Sequence, residues 1–202
     1  MKTFLKIVLL IAALSLPNSA LGAKNILVFG DSLSAGYGIA RDDSWVNLLQ
    51  QKLKKHPTGY EVVNASISGE TTAGGLRRIG KALQQHAPAV VIIELGANDG
   101  LRGTTLAETE KNLHEIIAQS RKANAKVLLL GIQLPPNYGM EFTKQFRAIY
   151  TKLAQRHKVA LLPFMLEGIA PEQFLADNLH PNAAGQPVIL RNVLPALLPL
   201  LR

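Results

Sequence analysis

The 202-residue sequence contains no cysteine. That excludes a disulfide framework, a thiolate zinc or iron–sulfur site and a cysteine nucleophile in one step. Aromatic residues are scarce at 5%, with a single Trp, and charged residues make up only 18%. Disorder is nevertheless excluded, because 48% of the residues are hydrophobic and the charges are of mixed sign. That content suits one domain with a sizeable core. Membrane-length apolar runs are also missing. The stretch Ile7 to Leu16 (IVLLIAALSL) has ten residues, about half of the roughly 20 that span a bilayer. It follows Lys2 and Lys6 and precedes Pro17 and the small-residue exit Ser19-Ala20-Leu21-Gly22-Ala23. A basic start, a short apolar centre and such an exit predict a signal peptide over 1–22. Cleavage after Gly22 puts Ala20 and Gly22 at the two positions that need small side chains. Residues 23–202 would then form the mature domain, periplasmic or secreted, with no integral membrane segment of its own.

The sequence does carry an excess of positive charge, +8. Such a balance suggests nucleic acid or an anionic membrane as partner. Removal of the leader takes Lys2 and Lys6 with it and leaves 180 residues with a charge of +6. That charge is dispersed, notably at Lys52, Lys54 and Lys55, at Arg77 and Arg78, and at Arg121 and Lys122, so nucleic acid is not expected as a partner.

The mature chain alternates strand and helix. Asn25 to Phe29 (NILVF) is a continuous apolar run closed by Gly30, as expected of a buried strand. Ser44 can cap a helix through Trp45, Val46, Leu48, Leu49 and Leu53 that ends in Lys52, Lys54, Lys55 and His56 before Pro57. Strands follow at Tyr60 to Ala65, Ala89 to Leu95, Lys126 to Leu130 and Val159 to Leu162. Helices separate them at Thr72 to Gln85, Thr105 to Ala123 and Glu141 to His157. A last helix begins near Ala183 and is disturbed by Pro187, Pro195 and Pro199, so its tail is expected to be bent or irregular. Strands joined by single helices imply right-handed crossovers. The expected fold is therefore a three-layer α/β/α sandwich on a five-stranded parallel sheet, flavodoxin-like in layout. Ligands of such sheets bind beyond the carboxyl ends of the strands.

Three strand ends carry polar groups able to do chemistry. Gly30-Asp31-Ser32-Leu33-Ser34 leaves the first strand and offers either a serine nucleophile or a helix cap. Ser66-Ile67-Ser68-Gly69 leaves the second, where Gly69 either presents an N–H or serves a turn. Gly96-Ala97-Asn98-Asp99-Gly100 leaves the third. Asn98 there is either a turn residue or an amide donor. Before the last helix, Asp177 and His180 are spaced to meet, with the carboxylate receiving the imidazole Nδ1–H. His56, His86, His114 and His157 read as surface residues. Asp31 and Glu94 lie at buried strand ends and must be satisfied by hydrogen bonds.

These segments, in this order, resemble the signature blocks of the SGNH (GDSL) hydrolases, named for their Ser, Gly, Asn and His. Ala35-Gly36-Tyr37-Gly38, Asn98 to Gly103 and Pro135-Pro136-Asn137-Tyr138-Gly139 are similar to the secreted bacterial multifunctional esterases of that superfamily. The resemblance implies Ser32 as nucleophile, His180 as base and Asp177 as its partner. It further implies an oxyanion hole from the Ser32 and Gly69 N–H groups and the Asn98 amide. The implied activity is hydrolysis of acyl esters and thioesters, in the manner of thioesterases, lysophospholipases and arylesterases, through an acyl-serine intermediate. Leu33, Leu101, Tyr138 and Met140 are the expected acyl-binding residues, with Ile169 and Phe174 as further loop candidates. No metal or cofactor is required, the substrate is a small molecule, and the chain is expected to be a monomer. A carbohydrate-ester deacetylase of the same superfamily is the competing enzyme, and a flavin-binding protein of flavodoxin layout is the non-catalytic alternative. The Gly-x-Ser-x-Gly of α/β-hydrolases is absent. So is a Gly-x-Gly-x-x-Gly opening a helix directly after the first strand.

Overall fold

The computed structural model describes residues 24–55 and 59–202. The expected leader and the expected helix end at His56 and Pro57 lie outside the described residues. Five strands, β1 (Lys24–Gly30), β2 (Tyr60–Asn64), β3 (Val90–Glu94), β4 (Lys126–Leu130) and β5 (Ala160–Leu162), form one sheet. Its order is β2-β1-β3-β4-β5 and every pairing is parallel. The central strands are those without alternation: Ile26 to Phe29, Val90 to Ile93 and Leu128 to Leu130 are buried on both faces. Seven α-helices are present among the described residues: α1 (Ser32–Ala35), α2 (Trp45–Lys54), α3 (Thr72–His86), α4 (Ala97–Leu101), α5 (Leu106–Lys122), α6 (Met140–His157) and α7 (Gln186–Leu197). Helices α3, α5 and α6 pack in succession over one face, and α2 and α7 over the other. The fold is the expected three-layer α/β/α sandwich. No described helix is long and apolar enough to cross a membrane.

Local sequence accounts for the helix boundaries. Ser44, Thr71 and Thr105 cap α2, α3 and α5 by accepting the N–H of Asn47, Gly74 and Glu108. Gly75 lets α3 approach the sheet, since a Cβ there would sit 2.6 Å from Leu95 Cδ1. Pro195 lies inside α7, and the chain then tightens into a 3₁₀ turn, Leu198–Leu201, where an irregular tail was expected. Two short helices, α1 and α4, were not expected from periodicity. Both start at strand ends and are too short to show a helical repeat.

One expectation is corrected. His157 is buried rather than exposed, and its Nε2 lies 2.7 Å from His114 Nδ1. The last turn of α6 packs against α5, so the two rings share one hydrogen, their centroids 4.6 Å apart and their planes tilted by 46°. Burial, followed by the neighbouring His114, lowers the pKa of His157.

Candidate active site

The strand order reverses between β1 and β3, and the chain segments leaving these two strands flank the resulting crevice. Asp31 caps α1 by accepting the Leu33 N–H at 3.0 Å. The cap reading of this turn falls to Asp31. Ser32, at the first helical position, keeps its hydroxyl free for other work. Ser32 Oγ lies 2.8 Å from His180 Nε2, and His180 Nδ1 lies 2.7 Å from Asp177 Oδ2. The other oxygen of Asp177 accepts the N–H of Leu179 at 2.9 Å and of His180 at 3.0 Å. Slight burial raises the Asp177 pKa, but these N–H bonds and the imidazole outweigh it and bring the carboxyl down to about 2. It is a fixed anion under the imidazole. Tyr37 closes the outer side, its ring centroid 4.6 Å from that of His180.

On the opposite wall, Asn98 Nδ2 donates to Asp31 Oδ2 at 3.1 Å and to the Glu70 carbonyl at 3.0 Å. These two bonds fix the plane of the amide. Gly69 adopts φ +77°, a left-handed conformation that favours glycine, and Arg102 Nη2 holds its carbonyl at 3.0 Å. Among the loop and cap hydrogen bonds of the described residues, the backbone N–H groups of Ser32 and Gly69 have no acceptor. Ser32, Gly69, Asn98 and His180 all line one cleft of about 200 Å³. The rest of its wall is largely apolar, including Leu33, Leu101, Ile132 and Leu134.

A buried carboxyl pair supports the Asp31–Ser32 turn from below. Glu94, at the end of β3, accepts the Ser34 hydroxyl at 2.8 Å and the Asp31 N–H at 3.2 Å through Oε2, while its Oε1 is buried without a partner. Burial, and then the charge of Asp31, push the Glu94 pKa well up. Burial raises Asp31 to about 6, partly offset by the bonds from Leu33 and Asn98. Burial thus disfavours the charged form at Glu94 more than at Asp31, which keeps a hydrogen-bond donor on each oxygen.

Of the expected acyl-binding residues, Leu33 and Leu101 line the cleft, but Tyr138 and Met140 do not. The 3₁₀ turn Pro136–Tyr138 carries the chain over the rim and turns both side chains out, leaving Met140 86% exposed. Ile169 and Phe174 also lie outside the cleft, and Ile169 packs against the core. Sequence reasoning missed Tyr37, Leu134 and Leu179 as lining residues. Their signal was available, since each is adjacent to or within a strand-end or histidine block. No group of three or more His, Cys, Asp or Glu arranged to hold a metal ion is present among the described residues.

A Ser–His–Asp constellation at the carboxyl edge of a parallel sheet, with free N–H groups beside the serine, is the layout of a serine acyl hydrolase. The chain belongs to the GDSL-like lipase/acylhydrolase family, whose model matches residues 28–188. It is 49% identical over 191 residues to the esterase TesA of Pseudomonas aeruginosa, covering 94% of this chain and 95% of that protein. It is 45% identical over 172 residues to thioesterase 1/protease 1/lysophospholipase L1 of Escherichia coli strain K12, covering 84% and 81%. A crystal structure of TesA superimposes with a TM-score of 0.86 at 49% identity, over 88% of this chain and 99% of that one. The protein is an esterase of the SGNH hydrolase type.

Proposed function

We propose that Ser32 is the nucleophile of an exported esterase acting on fatty acyl esters, thioesters and lysophospholipids. The observation that carries this reading is the relay from Ser32 Oγ to His180 Nε2 at 2.8 Å and from His180 Nδ1 to Asp177 Oδ2 at 2.7 Å, opening onto an apolar cleft. Ser32 Oγ attacks the acyl carbonyl carbon as its proton passes to His180 Nε2. Asp177 keeps the ring hydrogen on Nδ1 and stabilises the imidazolium. The carbonyl oxygen becomes an oxyanion, received by the N–H groups of Ser32 and Gly69. The Asn98 amide contributes by sharing one of its already bonded hydrogens. Collapse of this intermediate breaks the carbonyl carbon–leaving-group bond, and His180 gives its proton to the departing alkoxide or thiolate. Water, deprotonated by the same imidazole, then releases the acid and restores Ser32.

The apolar wall of Leu33, Leu101, Ile132 and Leu134 favours an acyl chain over a sugar ring, and so a lipid-type ester over a carbohydrate acetate. A series of p-nitrophenyl esters from acetyl to long acyl chains, run beside an acyl-CoA and a lysophospholipid, tests the substrate class. A medium or long chain is expected to be preferred, whereas a maximum at acetyl contradicts the reading. Export with cleavage after Gly22 is supported by the basic start, short apolar centre and small-residue exit of residues 1–22. The intact mass of the exported protein is expected to correspond to a chain beginning at Ala23. A mass that includes Met1 contradicts cleavage.

A further inference from the structure

Exposed apolar side chains are gathered at one end of this molecule. Six large ones are exposed among the described residues: Tyr37, Ile67, Tyr138, Met140, Leu179 and Leu198. The first five stand on the segments that follow the carboxyl ends of the strands, Tyr138 in a 3₁₀ turn and Met140 at the start of α6. Tyr37 and Leu179 line the catalytic cleft, and Ile67 immediately precedes Ser68 and Gly69, which line it too. Gln133 and Leu134 continue from the cleft into an adjoining hollow of about 320 Å³, bordered by Pro136 and Met140. Apolar tips on separate loops thus surround one opening. Leu198 is the exception, at the far end. There Lys126, at the amino end of β4, bonds the carbonyls of Leu200 and Arg202. Met140 at 86% and Ile67 at 51% exposure leave apolar surface in water.

Charge on the same rim is positive and unpaired. Lys144 and Arg147 line the adjoining hollow, and Arg102 reaches across to the Gly69 carbonyl. All three are exposed, and none forms an ion pair among the described residues. Nearby carboxylates are already engaged: Asp177 with His180, Glu70 with Arg78, and Glu141 with the amide of Gln145. Apolar tips beside free cations match the surface of an anionic phospholipid layer, where the tips enter the acyl boundary and the cations meet phosphate groups. A second copy of the chain is a poorer match, because a two-fold contact would set like charges against each other.

We propose that this rim docks the enzyme on an anionic phospholipid surface, so that an acyl chain passes from the lipid layer into the cleft without crossing water. This inference rests on the acyl-lipid reading of the cleft. The test is sedimentation of the exported protein with vesicles of phosphatidylglycerol and phosphatidylcholine, compared with phosphatidylcholine alone. Wild type is expected to bind the anionic vesicles. Ile67→Ser with Met140→Ser should weaken that binding by roughly tenfold. Lys144→Gln with Arg147→Gln should weaken it about 25-fold, roughly fivefold per cation, and remove the preference for phosphatidylglycerol. None of these four residues lines the cleft, so hydrolysis of dissolved p-nitrophenyl butyrate should stay at the wild-type rate. Leu198→Ser should change neither readout. The proposal is overturned if wild type stays in the supernatant, if the apolar pair sediments like wild type, if Leu198→Ser is the variant that weakens binding, or if an acidic carrier protein is bound and vesicles are not. Loss of p-nitrophenyl butyrate hydrolysis in wild type would instead overturn the esterase reading, and sedimentation needs no turnover to be read.

Discussion

Replacing Asp177 by Asn separates its role at the histidine from its role in the turn. Oδ1 accepts the N–H of Leu179 and of His180, and an amide oxygen in the same place still accepts both. The turn, with Asn178 at φ +55°, is therefore kept. The change falls at the second oxygen, 2.7 Å from His180 Nδ1. An amide nitrogen there donates, so Nδ1 must accept and the single ring hydrogen moves to Nε2. That hydrogen then points at Ser32 Oγ, 2.8 Å away, and the imidazole can no longer take the serine proton. The charge that stabilises an imidazolium is lost at the same time. The expected fall in kcat is about 10³- to 10⁴-fold, or roughly 4–5.5 kcal/mol of transition-state stabilisation, with KM little changed. The assay is p-nitrophenyl butyrate hydrolysis at pH 7, with circular dichroism and Tm confirming that the variant is folded. A folded Asp177→Asn protein within tenfold of the wild-type kcat would show that Asp177 serves the turn alone.

Removing the amide donor with Asn98→Ala should lower kcat by about 10²- to 10³-fold, and wild-type turnover would exclude Asn98 from oxyanion stabilisation. Gly30→Ala should destabilise the fold by about 1–3 kcal/mol, because its Cβ would lie 2.6 Å from Glu94 Oε2 and 2.9 Å from the Glu94 carbonyl oxygen. An unchanged denaturation midpoint refutes that. The buried pair sets a pH dependence of stability. Burial holds native Asp31 at about 6 and Glu94 well up, whereas unfolded carboxyls titrate near 4. The contribution of both is thus fully present below about pH 4; that of Asp31 is lost as pH rises through 6, and that of Glu94 falls as pH rises toward its own raised value. Glu94→Gln, which cannot ionise, should therefore gain in Tm relative to wild type between pH 4 and 7, and a difference that stays constant across that range contradicts the assignment.

The parallel sheet was legible because its inner strands are unbroken apolar runs, and only continuous burial on both faces tolerates NILVF or AVVIIEL. The place of the candidate site was legible for a related reason. Ser32, Asn98 and His180 belong to compact segments next to strand or helix ends, so chain order alone placed them near one another. Contacts between distant segments were not legible. Nothing local to Asn98 says that Asp31 and Glu70 hold its amide, since these partners are 67 and 28 residues away. The His114–His157 bond is hidden likewise, because each histidine sits on a largely polar helix and only the packing of α6 on α5 buries the second. Side-chain direction on a rim is also set by the backbone path. For that reason Tyr138 and Met140 looked like acyl contacts in sequence and point outward in space. The Gly30 to Ser34 turn reads as either a serine nucleophile or a helix cap because Asp and Ser suit both uses.

Serine catalysis is tested most directly by trapping the nucleophile with a p-nitrophenyl alkylphosphonate and locating the adduct by peptide mass spectrometry. The expected result is one equivalent of p-nitrophenol released, one phosphonyl group on Ser32, and loss of activity in step with labelling. Ser32→Ala should take up no label and lose about a million-fold in kcat. A stoichiometric adduct on another residue, or a folded Ser32→Ala protein that still hydrolyses p-nitrophenyl butyrate at the wild-type rate, contradicts Ser32 as the nucleophile.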